Sequence, residues 1–181
     1  MLQLPAAYEL YGIAAALGLA LTAAITDWRK GEIPNWLTLP PLIVAPVTYG
    51  ILLGKMGAVA SVLGIVFCGL PTLVLWWQGG IGGGDVKLVA AIGATAGLMA
   101  GLEIELVAFV IAALYALGRL AWEGKLLRTL GNTLYLALNP LLPKKWRRKV
   151  SPSLMNTVRL GGAFLAATIL SFLVRQPNLY S

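Results

Sequence analysis

Long apolar runs dominate this chain and constrain its fold more than any other feature. Six of them approach the length that an α-helix needs to cross a bilayer, about 20 residues. They cover residues 8–26, 36–53, 57–77, 86–102, 104–121 and 158–175. None alternates apolar and polar residues as membrane barrel strands do. Because only helices and closed barrels satisfy their backbone polar groups in lipid, the sequence predicts an all-α, polytopic transmembrane bundle of about six spans.

The scarcity of charged residues agrees with a membrane location. Charged residues make up 12% of the chain and hydrophobic residues 59%, whereas about a quarter of the residues in soluble domains are charged. We therefore expect one membrane-embedded domain over residues 1–181, which contains a basic, partly interfacial segment at 122–157. The first apolar run lacks the basic start and small-residue cleavage site of a signal peptide, so we expect it to be retained as a span.

The distribution of Lys and Arg predicts the orientation in the membrane. If the N-terminus lies outside, twelve of the fourteen basic residues fall in cytoplasmic segments, and only Lys55 and Arg175 lie outside. Short loops rich in Lys and Arg stay in the cytoplasm. The net charge of +7 then indicates contact with anionic lipids rather than with nucleic acid. The run KKWRRK at 144–149 lies against such headgroups or forms a solvated basic loop.

The absence of histidine excludes several kinds of chemistry. Without it the chain has no Ser-His or Cys-His pair, no His-ligated zinc and no imidazole proton shuttle. Its single cysteine, Cys68, lies within an apolar run and rules out a disulfide framework or a cysteine metal site. Two carboxyl groups can still act as general acid and general base without histidine or metal.

The chain contains only two aspartates, Asp27 where the first span ends and Asp85 where the fourth begins. Two crossings separate them, so both emerge on the same face of the membrane. Ionisable residues at such boundaries are costly and are candidates for function. Two structural alternatives remain open: Asp85 is a helix N-cap, and Asp27 pairs with Arg29 or Lys30.

The residues around the two aspartates carry a family resemblance. DWRKGEIPN (27–35) and GGGDVKL (82–88) together resemble the prepilin peptidase family, membrane aspartyl proteases with an aspartate followed by I-P-N and, later, G-x-G-D. The resemblance covers residues 8–121. The chain lacks the paired Cys-x-x-C region of bifunctional members and looks like the short, peptidase-only form. Many relatives have a proline-aromatic pair entering the last span, where this chain has TVRLGGAFLA (157–166), so the packing of that span stays open.

The resemblance implies a function and a location. It implies an aspartic endopeptidase of the bacterial inner membrane that removes the short basic leader from type IV prepilin-like or pseudopilin precursors. Cleavage would take place at the cytoplasmic face with Asp27, Asp85 and a water, without metal or organic cofactor. It leaves the oligomeric state undefined. The alternatives are an ion- or proton-coupled transporter and a non-catalytic scaffold of a pilus or secretion machine.

Supporting roles around the catalytic pair are hypotheses. Gly82, Gly83 and Gly84 are expected to form a flexible loop where an extended substrate approaches. Pro34 and Asn35 are expected to shape the turn between the first two spans. Lys87 either neutralises the carboxylates or anchors its span at the headgroups, and Glu103 and Glu105 are expected at the opposite face.

The helix dipoles suggest how the two aspartates divide the work. Asp85 opens a helix, whose positive end favours a charged carboxylate, and Asp27 closes one, whose negative end favours a protonated group. We therefore hypothesise Asp85 as base and Asp27 as acid at rest.

Overall fold

The computed structural model describes residues 4–124 and 160–176, and within these residues all regular structure is helical. The described residues form five helices: α1 (Ala6–Lys30), α2 (Asn35–Trp77), α3 (Gly83–Ala96), α4 (Leu98–Trp122) and α5 (Gly161–Val174). The prediction of an all-α protein is confirmed. The expected basic segment at 122–157 lies almost entirely outside the described residues, as does the KKWRRK run.

Among the described residues, three helices are long and apolar enough to cross a membrane. These stretches are Tyr8–Lys30, Asn35–Trp77 and Leu98–Trp122, with mean hydropathies of 1.6, 2.3 and 2.0. The chain is thus a helical membrane protein. The helices α3 and α5 are apolar too, but each has only 14 residues.

Helix α2 reverses direction at Gly54. This residue has φ 69° and ψ −161°, which glycine adopts without strain. A Cβ on Gly57 would lie 2.5 Å from the carbonyl oxygen of Tyr49. Eight residues of straight helix would separate these two positions by about 12 Å, so the chain folds back on itself between them. We call residues 35–53 the first arm and residues 55–77 the second arm. The break falls between the apolar runs 36–53 and 57–77.

Helix α3 is the innermost element of the bundle. All of its residues from Leu88 to Ala96 are buried. The second arm packs on it at very short distance: the Ser61 hydroxyl donates to the Ala94 carbonyl at 2.7 Å, and a Cβ on Gly64 would lie 2.1 Å from the Gly93 carbonyl oxygen. Small residues permit this approach between helices in lipid.

The junction between α3 and α4 lies at Gly97, not near residue 103 as predicted. Gly97 has φ 82° and ψ 173°, which ends α3 after Ala96. The sequence hides this break because apolar residues continue on both sides. As a result Glu105 lies inside α4, where it is buried and 4% exposed.

The far end of the bundle is closed by ion pairs. Arg175, which follows α5, contacts Glu9 of α1 at 3.0 Å and Glu103 of α4 at 2.5 Å. It also donates to the Ser171 hydroxyl at 2.7 Å. Both candidate aspartates lie at the other end.

Candidate active site

Asp27 lies in the last turn of α1 and is buried. The residue as a whole is 8% exposed. Its backbone carbonyl oxygen accepts a hydrogen bond from the N–H of Gly31 at 2.8 Å, where the helix ends. Arg29 and Lys30 are exposed. Neither forms an ion pair with Asp27, since the pairs among residues 4–124 and 160–176 are Arg119–Glu123, Arg175–Glu9 and Arg175–Glu103. The structure therefore does not contain the alternative considered for Asp27, an ion pair with Arg29 or Lys30.

Asp85 lies in the first turn of α3 and is 9% exposed. It is the third residue of the helix, and Gly82 occupies the N-cap position. One carboxylate oxygen, Oδ2, accepts the N–H of Gly82 at 3.2 Å. The alternative of a simple N-cap is wrong in position, because Asp85 reaches back from inside the helix to the residue that caps it.

The two carboxyl groups are close enough to interact electrostatically. Helix α1 runs antiparallel to α3, as Gly12 lies beside the Thr95 carbonyl at one end and Asp27 interacts with Asp85 at the other. Because two buried negative charges repel, a single shared proton lowers the electrostatic cost of holding both groups together. Such a pair offers one acid and one base side by side.

The glycine motif is more ordered than expected. Gly83 and Gly84 belong to the first turn of α3, so the loop between α2 and α3 comprises residues 78–82. A Cβ on Gly84 would lie 3.0 Å from the Cβ of Ile33, and one on Gly83 would lie 3.3 Å from Nε1 of Trp76. Two of the three glycines thus allow the start of α3 to pack tightly against the rest of the chain.

Pro34 and Asn35 begin the first arm of α2. Pro34 is the N-cap residue, and its carbonyl accepts the N–H of Leu37 at 3.1 Å. The side-chain oxygen of Asn35 accepts a hydrogen bond from Nζ of Lys87 at 2.8 Å. This bond joins the start of α2 to the first turns of α3, two residues beyond Asp85. The two roles considered for Lys87, neutralising the carboxylates and anchoring its span, did not include a hydrogen bond to Asn35.

Gly161 is a neighbour of the site that sequence reasoning missed. It opens α5, and a Cβ placed on it would lie 3.0 Å from Oδ2 of Asp27. The sequence signal that could have pointed to this contact was the glycine pair in TVRLGGAFLA. The contact also weakens the dipole argument for Asp27 as the acid, because the positive end of α5 lies beside the same carboxylate as the negative end of α1.

No metal-binding cluster accompanies the carboxylates in the part of the chain that the structure covers: no three His, Cys, Asp or Glu side chains there group closely enough to hold an ion.

The fold and the site together define a class of protein, a helical membrane protein with two buried, interacting aspartates at one end of its bundle. The model of the type IV leader peptidase family matches residues 14–117, more than half of the chain, and includes both aspartates. The chain belongs to this peptidase family, which confirms the resemblance seen in the sequence. No curated protein and no solved structure matches the chain significantly.

Proposed function

We propose that the protein is an aspartic endopeptidase that removes the short basic leader from type IV prepilin-like or pseudopilin precursors. The observation that carries the proposal is the pair formed by Asp27 and Asp85, the only aspartates of the chain, which are both buried and near enough for their negative charges to repel. Membership of a leader peptidase family supplies the class of substrate.

The chemistry that we propose uses the two carboxyl groups and one water. The ionised carboxylate takes a proton from the water as the oxygen attacks the scissile carbonyl carbon. The protonated carboxyl donates a hydrogen bond to the carbonyl oxygen and so stabilises the tetrahedral intermediate. A proton then passes to the leaving nitrogen as the C–N bond breaks. One proton shared between two close carboxyls is the resting state that this cycle needs.

We infer a topology of six spans with the N-terminus outside and the aspartates at the cytoplasmic face of a bacterial inner membrane. The two arms of α2 would count as two spans, and α1, α3, α4 and α5 as one each. The bias of twelve basic residues against two supports this orientation. Anionic lipids are then the partners of the basic segment at 122–157.

Substrate is proposed to approach beside Gly82, Gly83 and Gly84, all of which are partly exposed next to buried Asp85. A peptide must be extended to be cut, since a helical peptide bond is shielded by its own turn. The backbone at Gly82 would meet such a peptide, while Gly83 and Gly84 hold the start of α3 in place.

Co-expression with a prepilin whose leader is basic tests the proposal. Asp27→Ala and Asp85→Ala are each expected to leave the precursor at full length, as measured by mass spectrometry, while the protein remains inserted. The Asn variants at the same positions keep the shape and remove the ionisable group, so they are expected to be equally inactive. Cleavage at the wild-type rate by any of these variants contradicts the assignment. A wild-type protein that cleaves no prepilin favours the scaffold alternative.

A further inference from the structure

The N-terminal turn of α5 lies directly on Asp27. A Cβ on Gly161 would meet Oδ2 of Asp27 at 3.0 Å, Cβ of Asp27 at 3.2 Å and Cα of Ala24 at 3.3 Å. The next residue, Gly162, has nothing within 4 Å of the corresponding position. Two adjacent glycines of one helix therefore differ sharply: one faces the candidate catalytic carboxylate, and the other faces open space.

We propose that Gly161 is a positioning residue for Asp27, a role that rests on the proposed peptidase function. Its missing side chain lets α5 close over the carboxylate and fixes the direction in which Oδ2 points. An alanine at this position would meet the backbone of α1 at Ala24 as well as Asp27. All of these contacts fall short of an ordinary one by a few tenths of an ångström, so a small rotation of the carboxyl group or a small shift of α5 relieves them.

Movement of α5 is restricted at its other end. Arg175 ties it to Glu9 of α1 and to Glu103 of α4. Along its length, the ring of Phe164 packs edge-on against Phe109 of α4, with 6.1 Å between ring centroids and 71° between planes. A methyl group at residue 161 therefore acts mainly on Asp27 and its immediate surroundings.

The start of α5 also contributes charge. The first N–H groups of a helix have no partner within it and carry partial positive charge. The first N–H of α5 that bonds back within its own turn belongs to Phe164, which donates to the Leu160 carbonyl at 3.0 Å. The contact of Gly161 with Asp27 places this positive end of α5 beside the same carboxylate as the negative end of α1.

Steady-state cleavage of a prepilin tests the proposal with Gly161→Ala and the matched control Gly162→Ala. A small displacement of a catalytic group is costly, so we expect Gly161→Ala to lower kcat about tenfold or more. Substrate binding involves other surfaces, so KM should stay within about threefold. Gly162→Ala should match the wild type in both. Equal kcat values for the two variants, or an effect confined to KM, would overturn the proposal.

A spectroscopic measurement tests the same contact without turnover. The chain has two aspartates, so in Asp85→Asn protein labelled with ¹³C-aspartate the side-chain infrared signal comes from Asp27 alone. Adding Gly161→Ala should move the carboxyl band, because its surroundings change, and adding Gly162→Ala should not. An unmoved band in a folded Gly161→Ala protein refutes the positioning role. This result does not depend on activity, so it separates failure of the inference from failure of the proposed function.

Discussion

Replacing Gly64 with alanine should weaken the central helix crossing of the bundle. The new Cβ would lie 2.1 Å from the Gly93 carbonyl oxygen and 2.7 Å from the carbonyl carbon. To reach an ordinary contact of 3.4 Å, the second arm and α3 must separate by about 1.3 Å. Both contact atoms belong to the backbone of a buried helix, so no side-chain rotation relieves the clash.

The expected loss of stability follows from three contributions. Overpacking of this kind costs about 1–3 kcal/mol. Separation of the helices also stretches the hydrogen bond from Ser61 to the Ala94 carbonyl, now 2.7 Å long, which contributes about 1 kcal/mol. Alanine recovers up to about 1 kcal/mol through its better helix propensity. The net loss in the free energy of unfolding is about 1–3 kcal/mol.

Equilibrium unfolding in mixed detergent micelles measures this loss, with Gly118→Ala as the matched control. Gly118 is a helical glycine with nothing within 4 Å of its missing Cβ, so its alanine variant should be as stable as the wild type or more stable. The double variant Gly64→Ala with Gly93→Ala should lose less than the sum of the single losses, because one displacement relieves both clashes. If Gly64→Ala and Gly118→Ala unfold at the same detergent composition, the close crossing is refuted.

Three further outcomes are expected. Lys87→Met and Asn35→Ala should each lower the free energy of unfolding by about 0.5–1.5 kcal/mol, because each removes the 2.8 Å hydrogen bond between these side chains. The double variant should lose no more than either single variant, and additive losses in a double-mutant cycle would contradict this. Tyr49→Phe should cost about 1 kcal/mol in a detergent unfolding assay, since it removes the hydroxyl that donates to the buried Thr95 carbonyl at 2.5 Å; an unchanged midpoint would exclude this contribution. Prepilin cleavage should persist after treatment with EDTA, because the proposed chemistry uses carboxylates and water alone; loss of activity that added metal restores would overturn that chemistry.

The sequence was sufficient to predict the helical class and the family. Long apolar runs indicate membrane-spanning helices directly, because each helix that crosses the bilayer must be long and nearly free of charged residues. The positions of Asp27 and Asp85 at span ends, two crossings apart, placed them on one side by counting alone. These predictions depend on composition and order along the chain, which a single sequence contains in full.

Helix ends and contacts between distant residues were harder to predict. Gly97 ends α3 within an unbroken apolar stretch, so hydropathy carried no signal for it. The hydrogen bond between Lys87 and Asn35 and the contact of Gly161 with Asp27 join residues far apart in the chain. Which face of a helix a residue occupies depends on the final packing, and a uniformly apolar helix has no polar stripe to reveal it.

The glycines near the site require a different interpretation from the one that their sequence suggested. A glycine-rich stretch is usually taken as flexible, yet Gly84 and Gly161 lie in helices, and a Cβ on either would lie 3.0 Å from a neighbouring side chain, which is closer than an ordinary contact. In lipid the hydrophobic effect does not press helices together, so close contact through small residues and polar bonds must do so. The proposed mechanism requires two carboxyl groups that share a proton to be held at a fixed separation on different helices. The absence of side chains at Gly84 and Gly161 therefore lets the start of α3 pack against Ile33 and the start of α5 pack against Asp27.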